Sequence, residues 1–316
     1  MRKGRVPLDR LATAHGGILL SARACECGWQ SGYMVRRLKQ LGWTHVRHGA
    51  WAEPGREVDL ALRVRAEQLI HPQLVASHFT AARLHGIEVL QDPPHELEST
   101  GPPADRIRLP EGKLHRAPLP TGQIRSAGAI RVTTVSRTLA DLLRSATRDQ
   151  ALVAVDSALS VRPLPDRPGA RRGRLALPED IAAVLAAGTR KGRARGERYL
   201  RLADPRSGSP AETIARLRLH DANLYPETQA ELRTPDGRRL RPDFLFRREG
   251  VVVEIEGYAH HGTRGAHRHD IDRFNALNRC HEVRTVLRFT AIDALRRPER
   301  MVAAVRAALA RAAAHP

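Results

Sequence analysis

Three carboxylates interrupt a stretch that is otherwise apolar. In residues 241–257, RPDFLFRREGVVVEIEG, Asp243, Glu254 and Glu256 fall inside or at the ends of two short apolar runs. Reading 247–250 as a four-residue turn pairs Phe246 with Val251 and Asp243 with Glu254. Side chains alternate along strands, so Asp243, Leu245, Val252, Glu254 and Glu256 then share one face. Phe244, Phe246, Val251, Val253 and Ile255 fill the other, and a slip by one residue would destroy the arrangement. Carboxylates held close together repel, and burial raises their pKa values unless a cation neutralises them. Oxygen donors suit Mg²⁺ (or Mn²⁺), which keeps several waters and binds phosphate. Such a cation activates water and stabilises charge on a transferring phosphoryl group. The expected chemistry is phosphodiester hydrolysis, with Asp243 and Glu254 as metal ligands and Glu256 completing the site or orienting water. The alternative is a row of strand-end acids paired with nearby Arg.

The substrate class follows from charge. Lys plus Arg total 53 against 34 Asp plus Glu, a formal net charge of +19 in 316 residues. Such a chain attracts polyanions, above all nucleic acid, because each neutralised phosphate releases counterions. DNA is therefore the expected partner. No apolar run approaches the ~20 residues of a membrane helix, so no membrane partner is expected. The opening MRKGRVPLDRLA is basic but lacks an apolar signal core, which predicts a cytoplasmic protein. Cys25, Cys27 and Cys280 make no disulfide framework, and the C-x-C at 25–27 lacks the second pair that zinc needs.

The elements that must position these residues form an α/β multidomain chain. Residues 1–56 read as a winged helix-turn-helix. Ser21 caps a helix to Glu26 or Cys27, Gly28 ends it, and Ser31 caps a second helix through Leu41. Met34, Leu38 and Leu41 face inward on that second helix. Tyr33, Arg36, Arg37 and Gln40 face outward, as a major-groove helix requires. Trp43–Val46 and Ala50–Ala52 form the wing, whose Arg47 joins the expected DNA contacts. Residues 57–160 read as an α/β middle domain with strands at 87–90, 105–110, 112–119 and 129–134, and helices at 77–86, 135–146 and 149–160. His78, His85 and Asp141 there read as capping or half-buried polar residues. Residues 161–207 read as a basic linker and helix. The last domain, 208–316, opens with a helix capped by Ser209, with Pro210 at its first position and Glu212 in its first turn. Helix 266–280 carries Asp270 and Arg273 at i and i+3, a spacing suited to a surface pair.

These residues resemble known families. Pro242-Asp243 followed by Glu254-Ile255-Glu256 resembles the P-D…(D/E)-x-K pattern of restriction-endonuclease-like folds. More closely, PDFLF…VVVEIEGYAHH…RHDIDRFNALNRC…VRTVLRFT resembles a bacterial domain related to very-short-patch-repair endonucleases, across roughly 208–295. The resemblance implies a restriction-endonuclease-like α/β fold for the last domain and adds Glu212 to the metal site, bound through water. It also exposes a departure, because Glu256 stands where the pattern has Lys. His260, His261 or Arg288 would take over that role, and His261 is counted with Asp243, Glu254 and Glu256 as catalytic. The pattern of 8–55, with SHFTAARLHG and VTTVSRTLADLL after it, resembles AbiEi-type antitoxins of type IV toxin–antitoxin pairs. That family combines a winged-helix repressor with an α/β domain, which implies a regulator and a cognate toxin as a second partner. Two expectations result: a DNA-binding protein with a Mg-dependent endonuclease domain, or a non-catalytic antitoxin-like transcriptional regulator.

Overall fold

The computed structural model describes residues 5–90, 96–104, 107, 109, 111–163, 169–188, 190–256 and 264–314, with the backbone alone for 264–270. The chain is mixed α/β and multidomain. It divides into two compact units within a helix, between Thr138 and Leu139; 87–91 belong with the second unit.

The first unit begins with α1 (Leu8–Thr13), β1 (Ile18–Leu20), α2 (Ser21–Glu26), α3 (Ser31–Gln40), β2 (Thr44–Arg47) and β3 (Ala50–Ala52). The three strands form an antiparallel sheet in the order β1-β3-β2. This is the helix-turn-helix with a wing. Gly28 and Gly42 end α2 and α3 with φ of 89° and 76°, a left-handed backbone that β-carbons disfavour. Neither Ser21 nor Ser31 acts as the expected cap: each lies in the first helical turn, after Leu20 and Gln30 respectively. Met34 and Leu38 of α3 are buried with Leu8, Leu19, Trp43 and Trp51, whereas Leu41 is exposed. Leu41 lies past the last turn, where the backbone has left helical geometry and the helical wheel no longer applies. Cys25 is also exposed.

α4 (Leu60–Ile70) joins the wing sheet to a second sheet. Leu62 and Ala66 pack on β1 and β3, while Val64, on the opposite side of the helix, packs with Ala76, Leu97 and Val132. The chain continues through β4 (Val75–Ala76), α5 (His78–Leu84), β5 (Leu97–Gly101), β6 (Gly112–Arg116), β7 (Ile124–Ala127), β8 (Ile130–Thr133) and α6 (Val135–Ser145). The sheet order is β6-β5-β4-β8-β7, which leaves β6 and β7 as edges. The strand expected at 87–90 is irregular chain, and the one at 105–110 lies largely outside the described residues.

The second unit takes the rest of α6, then α7 (Arg148–Leu159), β9 (Arg162–Pro163), β10 (Arg171–Arg172), α8 (Pro178–Ala187), α9 (Arg193–Leu200) and α10 (Pro210–Asp221). β11 (Glu227–Thr228), β12 (Leu232–Arg233), β13 (Arg239–Leu240), β14 (Phe244–Phe246), β15 (Val251–Glu256), α11 (Arg264–Asn278), β16 (Thr285–Thr290), α12 (Ala291–Arg296) and α13 (Pro298–Ala314) complete it. The segment expected as a basic linker and helix holds two short helices and a ribbon, α8 being the expected helix, and α7 packs on α10 within the same unit through Leu152, Val153, Ile214 and Leu217. A buried ion pair fixes that contact. Asp156 Oδ2 of α7 accepts from Arg216 Nη2 at 2.8 Å and from Thr213 Oγ1 at 2.9 Å, both on α10. Asp156 Oδ1 accepts from the Asp204 N–H at 2.8 Å.

The main sheet runs β11-β14-β15-β16, with β14 antiparallel to β15 and β15 parallel to β16 across the α11 crossover. One face, carrying Phe244, Phe246, Val251, Val253 and Ile255, is covered by Ala211, Ala215 and Leu219 of α10 and by α12 and α13. The other carries Leu245 and Val252 under Ala276 and Leu277 of α11 and Cys280 just after it. Burying a side chain such as Phe244, with no exposed surface, contributes about 1.5–3 kcal/mol. The apolar alternation of both strands thus sets the register on which the acids depend.

Candidate active site

The hairpin register is the one expected from the turn: Phe244 opposes Val253, Leu245 opposes Val252 and Phe246 opposes Val251. Asp243 therefore stands opposite Glu254, just beyond the last paired residues of β14. Asp243 is held at both oxygens. Oδ2 accepts from the Ile255 N–H at 2.7 Å, and Oδ1 accepts from Gln229 Nε2 at 3.0 Å. Burial pushes its carboxyl well above the ordinary carboxylate range, and the charges of Glu212 and Glu254 push it further.

Glu212 reaches this site from the first turn of α10. Ser209 accepts from the Glu212 N–H and fixes the start of the helix, as expected. Glu212 Oε2 accepts from the Gly208 N–H at 2.6 Å and from Gln229 Nε2 at 3.2 Å. A β-carbon at 208 would come within 2.9 Å of Glu212 Oε1, so glycine makes room for this carboxylate. Burial raises the Glu212 pKa; its hydrogen bonds with Gly208 and Ser209 oppose the shift. Gln229 is the bridge. Its φ of 53° separates β11 from β12 and turns its carboxamide between Glu212 and Asp243.

The other two acids have arginine partners. Arg273 of α11 holds Glu254 with two hydrogen bonds, Nε to Oε2 at 3.0 Å and Nη2 to Oε1 at 2.9 Å, and also donates to the Arg241 carbonyl at 2.7 Å. Arg273 was expected at the surface beside Asp270, whose side chain lies outside the described residues. Helical spacing held the relevant signal: residue 273 precedes the buried Ala276 and Leu277 by three and four positions, so it shares their face. Arg288 Nε lies 2.6 Å from Glu256 Oε1, and β16 places Arg288 in register with Glu254. The Arg288 guanidinium also lies over Phe274, 5.6 Å from the ring centre. Of the candidates for the role of the missing Lys, Arg288 is at the site, and His260 and His261 lie outside the described residues.

Asp243, Glu254 and Glu212 are not drawn to within 4.8 Å of one another as a group; among the described residues only His78, Glu98 and His115 meet that spacing. Gln229 is interposed between Glu212 and Asp243, and Arg273 engages both oxygens of Glu254. A hollow of about 470 Å³ at the opposite, turn end of the hairpin, lined by Tyr225, Glu227 and Arg247, contains none of these acids.

The expected DNA-contact residues separate into two groups. Tyr33, Arg36, Arg37 and Gln40 are exposed on α3, and Tyr33 stacks on Trp29 with Arg5 over both rings. Arg47 does not join them. It is buried on β2, with Nη1 2.6 Å from Glu67 Oε2 of α4. Its charge neutralises a fully buried carboxylate, so the side chain points into the unit and away from any groove.

The fold thus defines a multidomain α/β chain, with a winged helix in one unit and a carboxylate site on a mixed sheet in the other. No family model and no curated protein matches it. Among solved structures it is similar to the RV2827C protein from Mycobacterium tuberculosis, at 14% identity and a TM-score of 0.43, over 72% of this chain and 87% of that one. Among the described residues no helix is long and apolar enough to cross a membrane.

Proposed function

We propose that the second unit hydrolyses DNA phosphodiester bonds with a bound Mg²⁺ or Mn²⁺, and that the winged helix holds DNA. The observation that carries this reading is Asp243: a half-buried carboxylate opposite Glu254 and bridged by Gln229 to Glu212, whose proton affinity is raised by burial and by both neighbouring charges, in a chain of charge +19. Like charges gathered in a protein that attracts phosphate call for a cation that binds with the substrate.

The donors fit. Mg²⁺ binds through one or two carboxylates together with waters and substrate phosphate. Asp243 and Glu254, opposite each other on adjacent strands, would supply the carboxylates, and Glu212 would join the site through water. When bound, the ion supplies a polarised water and charge neutralisation at the phosphoryl group. Gln229 and the Ile255 N–H hold Asp243 in one rotamer, so little ordering remains to be done on binding. Arg273 neutralises Glu254 until a cation competes for it. Arg288 places a guanidinium beside Glu256, where it can orient the scissile phosphate. Tyr33, Arg36, Arg37 and Gln40 offer a basic, polar helix face with the chemistry of a groove contact.

Supercoiled plasmid incubated with Mg²⁺ or Mn²⁺ tests the reading, with wild type and Glu254→Ala purified identically. Cleavage by wild type alone supports it. A second reading, a non-catalytic antitoxin-like regulator with a toxin partner, draws on Arg273 and Arg288 already serving as counter-ions to Glu254 and Glu256. Plasmid binding without cleavage, and a footprint at the protein's own promoter lost in Arg36→Ala/Arg37→Ala, would put that reading first.

A further inference from the structure

In the first unit, two imidazoles and a carboxylate meet where nothing in the proposed hydrolysis uses them. His78 opens α5, and Glu98 and His115 lie on β5 and the edge strand β6. The parallel register places Thr100 opposite His115 and Glu98 opposite Lys113, so Glu98, Thr100, Lys113 and His115 share one face. The rings of His78 and His115 stack with centres 3.4 Å apart and planes 11° apart. His115 Nε2 lies 2.6 Å from Glu98 Oε2. One ligand atom from each of the three residues falls within 4.8 Å of the others. His78, Glu98 and the supporting Ser77 and Thr100 are buried, and His115 is partly open at the sheet edge, which provides an entry path.

We propose that His78, Glu98 and His115 form a site for a first-row transition-metal ion, with Zn²⁺ the best match. Two imidazoles and one carboxylate, with a fourth position left to water, are a donor set that zinc accepts. The surrounding residues are arranged as metal-bound histidine requires. His78 Nδ1 lies 3.0 Å from Ser77 Oγ, which also accepts from Thr100 Oγ1 at 2.8 Å. With Nδ1 hydrogen-bonded to Ser77, Nε2 is left as the ligand atom, and the ring orientation is set from behind. His78 holds a φ of 51°, a left-handed backbone uncommon outside glycine, and such local strain concentrates at ligand-binding positions. Zinc spaces its donors about 3.3 Å apart, which small side-chain rotations achieve here. Binding displaces the proton shared by His115 and Glu98, and the ion then ties the edge strand β6 to the start of α5. Lys113 Nζ, 3.5 Å from Glu98 Oε2 and on an exposed side chain, is the cation that the metal displaces.

Co²⁺ titrated into the metal-free full-length protein reports the site through its visible d–d absorption, followed by competition with Zn²⁺. Wild type is expected to bind one equivalent with bands of a four- or five-coordinate ion. The bands should vanish in His115→Gln and Glu98→Gln, and Ser77→Ala should weaken binding about 10–100-fold. Lys113→Ala leaves the fold intact because the side chain is exposed, and should tighten binding about two- to fivefold by removing a competing exposed cation. The sequence places four further histidines within 260–269, so His260→Ala/His261→Ala serves as the control and should keep the bands. Absence of one-equivalent binding by wild type overturns the proposal. So does a Co²⁺ spectrum that survives His115→Gln, vanishes in the control, or responds to Lys113→Ala by weakening or not at all.

Discussion

Replacing Arg216 by Met should unsettle the second unit more than any change at its surface. Arg216 is 2% exposed, and its guanidinium donates to the carboxylate of Asp156, a residue with no exposed surface. After the substitution Asp156 keeps two donors, Thr213 and the Asp204 N–H, but loses the guanidinium that neutralises it. Removing one member of a buried pair costs about 3–5 kcal/mol, because a charge remains buried without compensation. A unit of this size shifts its melting temperature by about 2–4 °C per kcal/mol, so the transition should fall by roughly 6–20 °C. Burial already raises the Asp156 pKa above its ordinary value, with Arg216 opposing the shift, and loss of Arg216 raises it further. A group with a raised folded-state pKa binds protons more tightly when folded. Its stability contribution is present in acid and is lost as pH rises through the folded value. The deficit of Arg216→Met should therefore be smaller at pH values in the ordinary carboxylate range than at neutral pH. Asp156→Asn combined with Arg216→Met should recover much of the loss, since it removes the uncompensated charge and keeps an acceptor for the Asp204 N–H. Thermal melts of the three proteins at both pH values decide the matter. An unchanged transition in the single variant, or a deficit that grows in acid, would refute the reasoning.

The carboxylate site and the outer face of α3 make further predictions. Asp243→Asn removes a half-buried charge that Glu212 and Glu254 oppose, so it should raise the metal-free melting temperature at neutral pH and abolish stabilisation by Mg²⁺. Wild-type stability should fall as pH rises from the ordinary carboxylate range through the raised Asp243 value, and the Asn variant, which has no such proton to lose, should show a shallower slope in pH-dependent melts. Arg273→Ala frees both oxygens of Glu254, so Mg²⁺ should raise its melting temperature more than it does for wild type, and an equal response would count against competition. Arg36→Ala/Arg37→Ala should flatten the slope of log K against log salt for DNA binding by about 2, measured by fluorescence anisotropy, if each side chain neutralises one phosphate.

The sequence by itself carried the local periodicities. Alternation of apolar residues on either side of a four-residue turn was enough to oppose Asp243 to Glu254, because a period of two admits one register that buries Phe244, Val253 and Ile255 together. The faces of α3 were legible for the same reason, as was the Ser209 start of α10. What the sequence did not contain was the pairing of residues distant in the chain. Arg47 looked like one more basic residue of the wing, and tertiary structure alone buried it against Glu67, twenty positions away. Gln229 carried no signal beyond a polar break in a strand, yet chain geometry turned it between two carboxylates. Arg273 became the partner of Glu254 because the crossover helix lies on that face of the sheet. His78 read as an ordinary polar residue at a helix start until β5 and β6 brought Glu98 and His115 beside it. Periodicity is written in neighbouring residues; charge pairing and ligand sets depend on which elements the cores hold side by side, and those cores form only when the whole unit folds.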